Sequence, residues 1–173
     1  MMKKWKMPPA IKVYEALGAI GDGRVRAIDG DAAANAWEVV SSDGSKTYRV
    51  DLSVDGREIS SNDNASYWQG YLGYPAIAVL LLRGLYRAPA NVIDALAGIP
   101  WKEINRRFKN DYELTLAEVN KTVEASGHDP DAIAIEVESV MDALRKLAPR
   151  RGKRRRPPTE AKRPRVVKAS RKS

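Results

Sequence analysis

The chain has 173 residues and a net charge of +8, with no cysteine and a single histidine, His128. This composition excludes disulfides, thiolate nucleophiles, cysteine-based zinc sites and metal centres that need two histidines, so we expect neither a metal nor a cofactor. The longest apolar run, residues 75–82, is too short to cross a bilayer, and we expect a cytoplasmic protein.

The first half of the chain predicts one helix followed by a small sheet. The helix is predicted over residues 9–17, with proline at its start and Gly18 as its end. Short alternating segments rich in β-formers then follow, separated by Asp-Gly turns, which is typical of an antiparallel meander. The predicted strands are residues 24–28, 36–41, 47–52 and 57–60.

The second half predicts helices. Residues 76–85 are apolar on all sides, which is typical of a helix at the centre of a domain. Thr115 and Glu118 form a capping-box pattern, and Asp129 with Pro130 begins the last helix. The other predicted helices are residues 90–97, 101–109, 116–125 and 131–147. The sequence therefore predicts one globular α+β domain over residues 1–148, with its sheet half at about 1–74 and its helical half at about 75–148.

The basic charge is concentrated in residues 149–173. This tail has twelve Lys and Arg against Glu160, a net +11, so that residues 1–148 carry −3 of the +8 total. Four prolines and few apolar residues predict a disordered arm, whose cations would bind nucleic-acid phosphates with steep salt dependence. The predicted phosphate-binding residues of the arm are Arg150, Arg151, Lys153, Arg154, Arg155, Arg156, Lys162, Arg163, Arg165 and Lys168.

Residues 94–109 contain a second candidate for nucleic-acid binding. Gly98-Ile99 followed by Ile104 resembles the turn and first buried position of a helix-turn-helix motif. The resemblance implies that the second helix faces a duplex groove. The alternative is a pair of packed helices with a solvated charged face. The side chains that would face the groove are Lys102, Asn105, Arg106 and Lys109.

Residues 46–84 resemble a SWIM domain, a short zinc-binding fold that binds DNA or proteins. The order of a strand pair, a turn and an apolar helix is similar over residues 48–52, 58–63 and 73–80. The positions of the family's zinc ligands are occupied here by Ser60, Asn62, Gly73 and Pro75, none of which is a thiolate or imidazole. The resemblance therefore implies a metal-free relative with a binding role.

The densest aromatic stretch contains Tyr67, Trp68, Tyr71 and Tyr74. These side chains form a recognition surface for bases or a partner protein, or else they cover one end of the apolar helix.

No serine or lysine lies in a recognisable nucleophile motif. We therefore predict a non-catalytic, monomeric, nucleic-acid-associated protein that binds DNA or RNA, including ribosomal RNA. The alternative is a protein-interaction adaptor that uses this aromatic stretch, with the tail serving localisation.

Overall fold

A computed structural model describes residues 2–28 and 35–159 of the chain. In these residues the predicted α+β fold is confirmed. The strands are β1 Val25–Ala27, β2 Ala36–Val40, β3 Thr47–Leu52, β4 Glu58–Ser61 and β5 Arg150–Arg151. The helices are α1 Ile11–Gly21, α2 Tyr74–Leu82, α3 Ala90–Leu96, α4 Trp101–Arg107, α5 Tyr112–Ala125 and α6 Pro130–Leu147, with a π-helix at Ala65–Gln69.

The described strands form one sheet in the order β1-β2-β3-β4-β5. Strands β1 to β4 are an antiparallel meander, as the Asp-Gly turns predict. Alternate residues of β2 and β3, such as Trp37 and Val50, are buried against the helices, because successive side chains of a strand point to opposite faces. The sheet therefore covers one side of a helical core.

Strand β5 corrects the predicted domain boundary at Ala148. The Arg150 amide donates to the Arg57 carbonyl oxygen at 2.7 Å, and the Gly152 amide donates to the Ile59 oxygen at 2.9 Å. On the other side, the Arg151 amide donates to the Lys3 oxygen at 2.7 Å. This segment is therefore held between β4 and the N-terminal segment, and it satisfies backbone groups of both. The prediction of disorder is wrong for β5, because the strand's backbone pairing does not depend on its cationic side chains.

Helices α1 and α2 form the centre of the core. Helix α2 is buried from Pro75 to Leu81, as its uniformly apolar sequence predicts. The prediction that α1 ends at Gly18 is wrong, because the helix continues to Gly21. Gly18 lies against Trp101, where an added Cβ would come within 2.6 Å of the indole Nε1. The glycine serves close packing between α1 and α4 and does not end the helix.

The helix caps agree with the sequence in one case and differ in another. Asp129 caps α6 as predicted, with its carboxylate accepting from the Asp131 amide at 2.9 Å. The capping box predicted for α5 is wrong, because α5 begins at Tyr112 and Asp111 is its cap. Thr115 is fully buried inside this helix.

No helix within residues 2–28 and 35–159 is long and apolar enough to span a membrane.

Candidate nucleic-acid interface

A polar cavity of about 420 Å³ lies between α1, α4, the β2–β3 hairpin and residues 63–74. Its wall carries five cationic side chains and two carboxylates, so the lining has a net charge of +3. The charged and aromatic residues of its lining, together with Asn105, are Lys12, Glu15, Arg24, Lys46, Tyr48, Asp63, Trp68, Tyr71, Tyr74, Trp101, Lys102, Asn105, Arg106 and Tyr112. We call this site the polar cavity.

The deepest charged group of the polar cavity is the ion pair between Lys12 and Glu15. Lys12 is 9% exposed and Glu15 is 2% exposed, and Lys12 Nζ lies 3.0 Å from Glu15 Oε2. The amide nitrogen of Asn105 donates to the other carboxylate oxygen of Glu15 at 2.5 Å. Burial lowers the pKa of Lys12, but the adjacent Glu15 carboxylate outweighs burial and raises it above the usual lysine range. Lys12 therefore remains a cation at neutral pH and cannot act as an amine nucleophile there.

Tyrosines line the wall above this ion pair. Burial and the nearby Asp63 carboxylate raise the pKa of Tyr48 to about 12. Burial and a hydrogen bond with Tyr112 raise the pKa of Tyr71 to about 12, and burial also raises the pKa of Tyr74. The rings of Tyr48 and Tyr74 meet edge to face at 6.2 Å. The walls are therefore neutral, aromatic and rich in hydroxyl groups at physiological pH.

The raised pKa values predict that the protein loses stability above pH 10. The tyrosines and Lys12 keep their protons to higher pH in the fold than in the unfolded chain, where the pKa values are about 10.0 and 10.4. The folded state then binds more protons, and the free energy of unfolding falls as pH rises, by about 1.4 kcal/mol per pH unit for each titrating group.

Urea unfolding at pH 8, 9, 10 and 11 tests this expectation. We expect an unchanged midpoint from pH 8 to 9 and a fall from pH 10 to 11 that is smaller in Tyr48→Phe. Tyr67→Phe is the control, because Tyr67 does not line the polar cavity. A midpoint that stays constant to pH 11 would contradict the burial of these groups.

One cation of α4, Lys102, contacts the β2–β3 hairpin. The Lys102 amide donates to Ser42 Oγ at 2.9 Å, and Lys102 Nζ lies 3.3 Å from the Asp43 carboxylate and donates to Ser45. Of the other residues in the helix-turn-helix comparison, Asn105 contacts α1, Arg106 lines the cavity, and Lys109 is exposed after the end of α4. Lys102 and Asn105 therefore make internal contacts, and the groove-facing role of this helix remains a prediction.

The buried carboxylate of Asp63 fixes the loop that closes the polar cavity. It accepts hydrogen bonds from the hydroxyls of Ser61 at 2.5 Å and Ser66 at 2.6 Å, and from the Ser66 amide at 3.1 Å. The Gly73 amide in turn donates to Ser66 Oγ at 3.1 Å. This network connects the end of β4 to the start of α2, and it holds the π-helix that carries Trp68.

A second concave surface of about 450 Å³ lies on the other side of the π-helix, and we call it the basic groove. None of the described residues that line it is acidic. Trp68 is 69% exposed, and Trp68 and Gln69 line both the basic groove and the polar cavity. The charged and aromatic residues of the basic groove are Lys3, Trp5, Lys6, Tyr67, Trp68, Arg151, Lys153 and Arg154.

Two arginines of the predicted arm contact the aromatic stretch. The Arg154 guanidinium lies 4.1 Å from the centre of the Tyr67 ring and donates to the Tyr67 carbonyl oxygen at 3.3 Å. Arg151 donates to the Gly70 oxygen at 3.0 Å and lies 5.0 Å from the Trp5 ring. The sequence predicts the arm and the aromatic stretch as two separate binding regions, whereas in the structure residues of both line the basic groove.

Two other arginines of the arm are paired with carboxylates of the sheet. Arg155 Nη2 lies 3.1 Å from Asp51, and Arg150 Nη2 lies 3.8 Å from Asp55. These two cations are therefore less available to phosphates than a free arm predicts. Lys153 and Arg156 are exposed. Lys162, Arg163, Arg165 and Lys168 lie outside the described residues.

The four predicted aromatic residues do not form one patch. Tyr67 is stacked under Arg154, and Trp68 is exposed between the two concave surfaces. Tyr71 and Tyr74 are half-buried in the wall of the polar cavity.

The sequence analysis does not identify the buried ion pair of Lys12 and Glu15. A pattern that could have indicated it is the presence of two opposite charges three residues apart on an otherwise apolar helix.

No group of three or more His, Asp and Glu residues within the described ranges is placed to hold a metal ion.

The chain was compared with curated proteins, solved structures and protein-family models. No curated protein and no solved structure matches the chain. Residues 5–150 match a family model described as "Uncharacterised conserved protein UCP014422", over a region that contains the polar cavity and ends in β5. Because the match covers most of its length, the chain belongs to this UCP014422 family.

Proposed function

We propose that the protein binds single-stranded nucleic acid, RNA or DNA, in the cytoplasm and without a catalytic step. The observation that carries this proposal is the 69% exposed Trp68 on the ridge between two cationic concavities. An exposed indole beside a positive groove is the arrangement that single-strand binders use, because every base has a π-face and every nucleotide has a phosphate. A duplex hides its base faces and cannot stack on such a residue.

The cations of the basic groove supply the electrostatic half of the proposal. Lys3 and Lys6 come from the N-terminal segment, and Lys153 and Arg154 come from the arm. Strand β5 holds the two segments side by side through the bond between the Arg151 amide and the Lys3 oxygen. The fifth cation of the groove, Arg151, donates to the Gly70 oxygen, which leaves four cations for a phosphate backbone in a groove without an acidic lining residue. The groove gives affinity, and stacking on Trp68 favours single strands.

Fluorescence anisotropy with labelled 15-nucleotide RNA and DNA single strands tests the proposal. We expect Trp68→Ala to weaken binding about tenfold, since stacking contributes about 1–3 kcal/mol per base. We expect the logarithm of the association constant to fall with the logarithm of salt concentration with a slope of about −3, from about four phosphate contacts. Replacing both Lys153 and Arg154 with alanine should roughly halve this slope.

Two control proteins show whether the losses of binding are specific to Trp68, Lys153 and Arg154. Ile135 on α6 is 67% exposed and lines neither concavity, so Ile135→Ala should bind like the natural chain. A chain that ends at Thr159 measures what residues 160–173 add, whereas a chain that ends at Ala148 would lose β5. Binding that is independent of salt, or a duplex bound as tightly as a single strand, counts against the proposal.

A protein-interaction adaptor is the second candidate, and the exposed Trp68 also favours it. Exposed tryptophans are enriched among residues that dominate protein interfaces. Under this alternative the basic segment would serve localisation. Affinity purification with and without nuclease discriminates the two, since a nucleic-acid binder loses its co-purifying material after nuclease treatment and an adaptor retains its protein partner.

A further inference from the structure

We propose that the polar cavity binds a single nucleotide, with the base at Lys12 and Asn105 and the phosphate at Lys46. This inference rests on the proposed nucleic-acid binding, and it identifies the pocket that would take one nucleotide of the strand or a free nucleotide. The volume of about 420 Å³ lies in the range of small-molecule sites.

The first support is the unused hydrogen-bonding capacity at the bottom of the cavity. Lys12 Nζ has three N–H donors, and its one hydrogen bond among the described residues goes to Glu15. The ammonium also lies 5.0 Å from the centre of the Tyr112 ring, a contact that leaves it without a second hydrogen-bond acceptor. A buried ammonium with unused donors is costly unless something accepts them. The Asn105 carboxamide oxygen is also buried without a partner among these residues, because the Asn105 nitrogen faces Glu15. The floor of the cavity therefore holds an ammonium with spare donors and, beside it, an acceptor that is covered in the unliganded fold and that a ligand would reach once the Asn105 side chain turns.

The edge of a nucleobase matches this pattern. Each base carries a carbonyl or ring-nitrogen acceptor next to an N–H donor. The acceptor would receive a hydrogen bond from Lys12, and the N–H would donate to the Asn105 oxygen. Both side chains bind the same carboxylate of Glu15, which holds their heads close together. The rings of Tyr48 and Tyr74 supply the apolar wall that a planar base requires.

The charge around the cavity suits the phosphate. Lys46 is half-buried at the hairpin, and its side chain makes no ion pair among the described residues. Arg106 is exposed at the same cavity. Lys12, in contrast, is nine-tenths buried. The cations of the cavity are therefore solvent-accessible at Lys46 and Arg106 and buried at Lys12. A ligand with its anionic group at Lys46 and its neutral polar ring at Lys12 fits this difference in burial. Trp68 lines both the polar cavity and the basic groove, so it is available to stack on the base next to the one in the cavity.

Isothermal titration of the full chain with uridine and guanosine 5′-monophosphates tests the proposal, with ribose 5-phosphate as the reference probe. We expect at least one nucleotide to bind tenfold or more tightly than ribose 5-phosphate. Asn105→Ala should weaken nucleotide binding at least fivefold and change ribose 5-phosphate binding less than twofold. Lys46→Ala should weaken both at least threefold. Lys121→Ala is the matched control, because Lys121 is exposed on α5 and does not line the cavity.

The outcomes separate this inference from the proposed function. Equal binding of ribose 5-phosphate and both nucleotides overturns the base-binding site, and so does a lack of any binding at millimolar concentration. If 15-nucleotide strands still bind in either case, the basic groove alone carries the proposed function. If nucleotides bind but strands do not, the cavity assignment stands and the proposed function fails. Should Asn105→Ala fail to fold, Lys46→Ala carries the test, since a Lys46 variant that binds nucleotides normally contradicts the assignment.

Discussion

Gly73→Ala is expected to destabilise the protein by about 3 kcal/mol or more. An added Cβ would overlap Oδ2 of Asp63 and would lie 2.5 Å from its Cγ and 3.0 Å from its Oδ1. Asp63 is 4% exposed and cannot turn away without breaking its bonds to Ser61 and Ser66. Overpacking alone costs about 1–3 kcal/mol, and loss of a buried hydrogen-bond network adds to it.

Urea unfolding followed by circular dichroism measures this cost. Gly44→Ala is the matched control, because nothing lies within 4 Å of an added Cβ there and its cost is limited to the positive φ of 74°. We expect about 1 kcal/mol for this control. If Gly73→Ala is no more destabilising than Gly44→Ala, then the loop between β4 and α2 adjusts freely and the Asp63 network does not fix the π-helix.

The fold could be predicted from the sequence where one local signal dominates. The Asp-Gly turns with alternating strands give the meander, and the uniformly apolar run of residues 76–85 gives the central helix. The boundary errors arise where tertiary packing overrides a local rule. Gly18 would end an isolated helix, but here it admits the Trp101 ring. Prolines and a lack of apolar residues assign Arg150 and Arg151 to a disordered arm, but backbone pairing with β4 does not require apolar side chains.

The candidate site could be predicted only in fragments. Sequence reasoning names Trp68, Arg154 and Lys102, but it places them in three unrelated candidates. In the fold, Trp68 shares the polar cavity with Lys102 and the basic groove with Arg154. This arrangement depends on long-range contacts, such as the bond between Arg154 and the Tyr67 carbonyl, 87 residues apart. The bond between Asn105 and Glu15 spans 90 residues. No local pattern encodes such separations, so the polar cavity emerges only when α1 and α4 are brought together.

Lys12→Met is expected to destabilise the protein by about 3–5 kcal/mol at pH 7, because it leaves the Glu15 carboxylate buried without its cation. Glu15 is 2% exposed, and its remaining described partner is the Asn105 amide. The double variant Lys12→Met with Glu15→Gln removes both charges and keeps an acceptor for Asn105. Replacing a buried ion pair with neutral groups of similar volume is often close to neutral. The double variant should therefore recover most of the lost stability.

Urea unfolding at pH 7 and pH 5 distinguishes the charge from the packing. The unpaired Glu15 of Lys12→Met would have a raised pKa because of burial, so its folded state binds a proton more tightly than its unfolded state. The destabilisation of this variant should then shrink as the pH falls, whereas the double variant should show no such gain. Equal stability of the single and double variants would mean that water reaches Glu15. In that case Lys12 would not be the dehydrated donor on which nucleotide binding in the polar cavity depends.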